Sequence, residues 1–150
     1  MSEWMSQPLE VPGNNRSDPL QTLGTYILVI RCLRRSCIPV GVLGLMPLYR
    51  GWYLYAGSAF GPGGLGARLR RHLQTDKTKH WHIDTLVAHC ALVDIWYRCA
   101  SRDLEHIWAQ TLVSHQDTVI PLAGFGASDC RCNSHLVWLR SRKEVNGIRR

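Results

Sequence analysis

Gly24–Cys32 (GTYILVIRC) is a nine-residue run rich in β-branched and aromatic residues, and it constrains the fold more than any other stretch of the chain. Such residues fit a pleated strand better than a helix. A short charged break follows, then a second apolar run, Cys37–Leu45 (CIPVGVLGL). The two runs together predict a hairpin, with Pro39 placing the second strand at an edge or bulge. Gly51–Gly57 (GWYLYAG) predicts a third strand, and Ser58–Gly64 (SAFGPGG) a glycine-rich loop. Over Leu65–Leu73 the spacing is helical. It sets Leu65, Leu69 and Leu73 on one face, with Arg68 and His72 flanking them. Lys79–Val87 (KHWHIDTLV) fits a helix or a strand, whereas Ala91–Cys99 (ALVDIWYRC) predicts a strand. Ser101 reads as the N-cap of a helix reaching about Ser114, with Asp103 and Glu105 in its first turn. His135–Leu139 (HLVWL) predicts a last strand. The expected class is α+β: a small, mainly antiparallel sheet of three to five strands flanked by helices. Residues 1–22 read as a flexible arm, 23–140 as the folded body, and 141–150 as a basic, frayed tail.

Charge narrows the class of partner. The chain carries +7, and no acidic residue occurs between Asp18 and Asp76. That window holds Arg31, Arg34, Arg35, Arg50, Arg68, Arg70 and Arg71, so the whole excess lies in it. An arginine-dominated field suits a polyanion, because guanidinium binds phosphate through two parallel hydrogen bonds. Nucleic acid, with DNA first, is the expected partner. No apolar run approaches the ~18 residues of a membrane span, so a membrane partner is not expected. The N-terminus lacks a signal-peptide pattern, so the cytoplasm is the expected compartment and the six cysteines are expected to be reduced.

The motifs form an ordered series. Gly24-Thr25-Tyr26 opens the first strand, Tyr55-Ala56-Gly57 closes the third, and Arg68 then His72 follow on the helix. HWHID, GFGASDCRC and SHL come later. This series resembles the GIY-YIG nuclease superfamily. In particular it looks like a little-characterised branch whose members are short standalone proteins or are fused to DNA-repair glycosylases. The resemblance spans about residues 23–140. It implies a nuclease that hydrolyses phosphodiester bonds, with Tyr26 as general base, Tyr55 as its partner, Arg68 as phosphate clamp and His72 as an auxiliary base or donor. It also implies a carboxylate that holds Mg²⁺ or Mn²⁺, and a role in DNA repair. A free tyrosine, with pKa ~10, is a poor base at neutral pH. Tyr26 therefore needs a cation beside it to serve as one.

Two carboxylates compete for the metal. Glu105 lies in the expected helix at Arg102–Leu112 (RDLEHIWAQTL), although a first-turn acid is also explained by the helix dipole. If the family's metal position falls instead on Gln110, a neutral amide replaces the ligand. Asp84 in HWHID is the alternative. Should neither reach the tyrosines, the expectation becomes a nucleic-acid-binding module without catalysis, and a partner protein could supply specificity. The exposed N–H groups of Gly63 and Gly64, with Arg70 and Arg71, are candidate phosphate contacts. Cys130, Cys132 and His135 offer three zinc ligands within six residues, and His80 or His82 could supply a fourth. The spacing departs from the usual cysteine pairs, so the sequence favours a packed turn over a zinc site.

Overall fold

The computed structural model describes residues 5–7, 23–60, 63–74, 81–98, 104–127 and 130–149. The strands are β1 (Met5–Gln7), β2 (Gly24–Cys32), β3 (Ser36–Pro39), β4 (Leu45–Leu48), β5 (Gly51–Ala59), β6 (Ala91–Arg98) and β7 (Leu136–Leu139). The helices are α1 (Gly64–Leu73), α2 (His82–His89), α3 (Leu104–Ser114) and α4 (Arg142–Arg149). One antiparallel sheet runs in the order β1-β6-β2-β5-β7, and β3 and β4 form a separate two-stranded sheet. The class is α+β, as the sequence predicts.

Both faces of the sheet are covered, which explains the unbroken apolar run in β2. Leu28 and Ile30 face a core shared with Leu65 and Leu69 of α1, Ile83 and Leu86 of α2, and Ile38 and Met46 of the β3–β4 sheet. Ile27 and Val29 face the opposite core, with Trp108 and Leu112 of α3 and Val145 of α4. All four β2 side chains are fully buried, at roughly 1.5–3 kcal/mol of stabilisation each.

Three expectations are corrected. Cys37–Leu45 does not pair with Gly24–Cys32, because β2 already has β5 on one edge and β6 on the other. The second run instead turns back through a 3-10 turn at Gly41–Leu43, so Ser36–Pro39 pairs with Leu45–Leu48. Pro39, which lacks an N–H, thus ends a short strand outside the main sheet. Within the expected flexible arm, Met5–Gln7 pairs with β6 as an edge strand. The basic tail is not frayed: Arg142–Arg149 is a helix, because Val145 and Ile148, three residues apart, bury their side chains against Trp52 and Leu139. The ambiguous segment resolves as a helix beginning at His82, and the N-cap expected at Ser101 lies outside the described residues. Among the described residues no helix is long and apolar enough to cross a membrane.

Candidate functional site

Strand register brings the two tyrosine motifs together. Tyr26 on β2 lies directly opposite Gly57 on β5, and Leu28 opposite Tyr55. A Cβ at position 57 would fall 2.5 Å from the Tyr26 ring, so glycine is what lets that ring lie across β5. Gly126 plays the same part for Tyr55, since a Cβ there would come within 2.8 Å of the Tyr55 ring. Both tyrosines are buried.

Helix α1 completes the cluster. Its buried stripe is Leu65, Leu69 and His72 rather than the expected Leu65, Leu69 and Leu73. His72 therefore enters the core instead of flanking it, and its Nε2 lies 2.7 Å from the Tyr26 hydroxyl. Burial, and then the neighbouring Tyr55, push the Tyr26 hydroxyl well above its ordinary pKa, while the charge and hydrogen bond of Arg68 pull the other way. Burial raises Tyr55 too, with Glu105 adding to the rise and Arg68 opposing it. Tyr26, Tyr55, Arg68 and Glu105 thus act on one another electrostatically, although they come from β2, β5, α1 and α3.

The two candidate carboxylates differ in what they hold. Asp84 is buried and fully engaged: Arg71 donates to both its oxygens at 2.8 and 3.0 Å, and the Trp81 N–H donates at 2.9 Å. It caps α2 and ties that helix to α1. Trp81 in turn lies under two guanidinium groups, those of Arg68 at 4.2 Å and Arg71 at 3.9 Å from its ring centroid. This stacking positions Arg68 beside the tyrosines and commits Arg71 to bracing. Arg70 is half-buried in the last turn of α1, and Gly63 caps the helix on its exposed side, with Gly64 buried behind it.

Glu105 reaches the tyrosine cluster from the opposite helix layer. Burial works to raise its carboxyl, but hydrogen bonds from His135 and Ser58 outweigh it, so the group sits below its ordinary pKa and is ionised. Its Oε1 is 3.2 Å from His135 Nδ1, which also lies 3.1 Å from the Ala56 carbonyl.

His135 joins this site to a second one. Its Nε2 is 3.3 Å from Cys130 Sγ, while Cys132 Sγ is 3.4 Å from His106 Nδ1. The ligand atoms of His106, Cys130, Cys132 and His135 all lie within 4.8 Å of one another, a grouping able to hold a metal ion. The segment is turn-rich, as expected, and its cysteines and His135 also lie close enough together to hold a metal ion. The fourth member is not His82, whose Nδ1 accepts the Gly126 N–H at 2.9 Å, and His80 lies outside the described residues. It is His106, which the sequence reading missed.

Fold and site define an α+β protein with buried tyrosines and a buried histidine beside a half-buried arginine, and an adjoining group of histidine and cysteine ligands. Residues 25–149 match the family described as "Domain of unknown function DUF123", and the chain belongs to that family. No curated protein and no solved structure matches it.

Proposed function

We propose that this protein is a metal-dependent nuclease of the GIY-YIG type, acting on DNA. The observation that carries the reading is the convergence of Tyr26, Tyr55, Arg68 and Glu105 from four separate elements, with His72 hydrogen-bonded to Tyr26. Buried phenols and an arginine beside an ionised glutamate are poorly explained by packing alone, and perturbed groups of this kind concentrate at functional sites.

The chemistry follows from the pairing. Burial makes the Tyr26 hydroxyl a weak acid, so a standing tyrosinate is not the base. A relay meets the need instead. Tyr26 accepts the proton of the attacking water as its own proton passes to His72 Nε2, 2.7 Å away. The phenol stays neutral throughout, the hydroxide attacks phosphorus, and the imidazolium holds the proton until the leaving oxygen takes one up. Arg68 stabilises the charge that gathers on the phosphoryl oxygens. Tyr55 fixes the rim of the site beside Gly126. The donor chemistry at Glu105 fits a hard divalent cation, since Mg²⁺ needs as little as one carboxylate and keeps several waters. Bound there, Mg²⁺ or Mn²⁺ would supply Lewis acidity and lower the pKa of a coordinated water. Asp84 is not the ligand in this reading, because its oxygens are taken by Arg71 and Trp81.

The test is Mg²⁺-dependent cleavage of labelled DNA by the pure protein. Tyr26→Phe and Arg68→Ala should each abolish cleavage while circular dichroism and melting temperature persist; cleavage unchanged by both would falsify the proposal. A second reading, a binding module without catalysis, draws on the engagement of Glu105 by His135 and Ser58. Salt-sensitive DNA binding with no products at any divalent ion would establish it.

A further inference from the structure

We propose that His106, Cys130, Cys132 and His135 form a structural zinc site that clamps the segment before β7 onto α3. The proposal takes none of the nuclease residues as ligands, and the two readings share only Glu105, which braces His135.

Geometry comes first. A tetrahedral site with Zn–S ~2.3 Å and Zn–N ~2.0 Å has ligand-to-ligand edges of roughly 3.3–3.8 Å. The Cys130–His135 and Cys132–His106 edges, at 3.3 and 3.4 Å, already have that length. No pair of ligand atoms is more than 4.8 Å apart, so closure around an ion needs shifts of an ångström or less. Two thiols and two imidazoles are soft and borderline donors that select zinc over magnesium. With both thiols ionised they also leave a neutral complex. Four protein ligands close the coordination sphere, which marks a structural site rather than a catalytic one.

The surroundings of His135 supply a second, independent observation. A histidine that ligates metal through one nitrogen almost always donates its other N–H to a carboxylate or carbonyl. With Nε2 turned to Cys130, His135 Nδ1 faces Glu105 Oε1 at 3.2 Å and the Ala56 carbonyl at 3.1 Å. The ring is fixed in the tautomer and orientation that a ligand requires. Its backbone is fixed as well: the His135 N–H donates to the Phe125 carbonyl, and its carbonyl accepts the Ala56 N–H.

The need for a clamp is visible in the fold. Between the end of α3 at Ser114 and the start of β7 at Leu136 the described chain is turn and bridge only. Phe125 and His135 anchor this segment in the core, whereas Cys130 and Cys132 are partly exposed and His106 is exposed. Cys132 packs partly against the core that holds Trp108 and Leu112 of α3, and a metal adds a direct link from the exposed part of the segment to His106 of that helix.

The experiment is metal analysis of the full chain, expressed with zinc and purified under reducing conditions without chelator. One zinc per chain is expected. The cobalt-substituted protein should show thiolate-to-metal charge transfer and the intense visible bands of tetrahedral coordination. Cys132→Ser is a near-isosteric change at a partly buried position and His106→Ala is at an exposed one; both are expected to fold, with zinc affinity lowered roughly 100-fold or more in competition with a chromophoric chelator. Tyr26→Phe should keep full zinc content, so loss of cleavage and loss of zinc are read separately. A chain without stoichiometric zinc, a cobalt spectrum without charge transfer, a Cys130–Cys132 disulfide in the reduced preparation, or unchanged affinity in both ligand variants would each overturn the site.

Discussion

The tyrosine cluster and the cysteine–histidine cluster meet at one residue, His135, yet they are held in opposite ways. Tyr26, Tyr55 and His72 are buried on regular elements, and their positions are set by strand register and the α1 stripe. Nothing has to bind for them to stay there. The other cluster takes one ligand, His106, from an exposed helical position and three, Cys130, Cys132 and His135, from the segment before β7. Its ligand atoms lie within 4.8 Å of one another, and Cys130 and Cys132 are only partly buried. The lesson is that two sites can share a wall and still answer to different perturbations. The packing of the first should survive chelation, whereas that of the second should loosen when its metal is removed.

The largest effects should come from breaking the tyrosine side. Tyr26→Phe removes the relay hydroxyl and should slow cleavage by roughly 10²–10⁴-fold. Arg68→Ala should slow it by roughly 10²–10³-fold. Single-turnover cleavage assays, with melting curves as the folding control, measure both.

Zinc removal should perturb the other side. After chelation, hydrogen exchange should accelerate at amides of 130–135, while β2 and β5 keep their protection. Equal acceleration in β2 would show that the two regions are one cooperative unit.

The carboxylates offer a sharper contrast. Asp84→Asn breaks a buried pair with Arg71, whose side chain is 22% exposed, and should cost about 2 kcal/mol in denaturant unfolding. It should leave the Mg²⁺ concentration for half-maximal cleavage unchanged. Glu105→Gln should raise that concentration with little loss of stability, and should weaken zinc roughly 10-fold by removing the charge behind His135. If Asp84→Asn moves the Mg²⁺ requirement and Glu105→Gln does not, the two roles are reversed.

The smallest effect belongs to Arg70. Arg70→Ala should weaken DNA binding evenly across sequences and reduce the slope of log affinity against log salt by about 1. Titrations at several salt concentrations measure it.

Much of the fold was legible in the chain because its strands carry their own signal. Gly24–Cys32 and Ala91–Cys99 are β-rich over their whole length, and the spacing of Leu65 and Leu69 specifies a helix. Pairing was less legible. The run at Cys37–Leu45 is as apolar as β2, and nothing local says that β5 and β6 will occupy both edges of β2 first. Arg/Lys-rich composition likewise hid the two apolar residues that dock α4. For the tyrosine cluster, motif order indicated the members, but the hydrogen bond from Tyr26 to His72 depends on which way α1 turns its stripe. That Asp84 is the carboxylate tied up by an arginine could be read only from the bidentate Arg71–Asp84 pair. His106 was not legible at all, because its partners lie 24 or more positions away and carry no standard zinc spacing.

One measurement bears most directly on the tyrosine centre: Mg²⁺-dependent cleavage of DNA by the zinc-replete wild-type chain and by Arg68→Ala, assayed together with equal zinc content verified. The expected result is cleavage by the wild type and its loss in the variant, with identical melting curves. Equal cleavage by both proteins, or none by the wild type at any divalent ion, would contradict the assignment of this centre as a nuclease site.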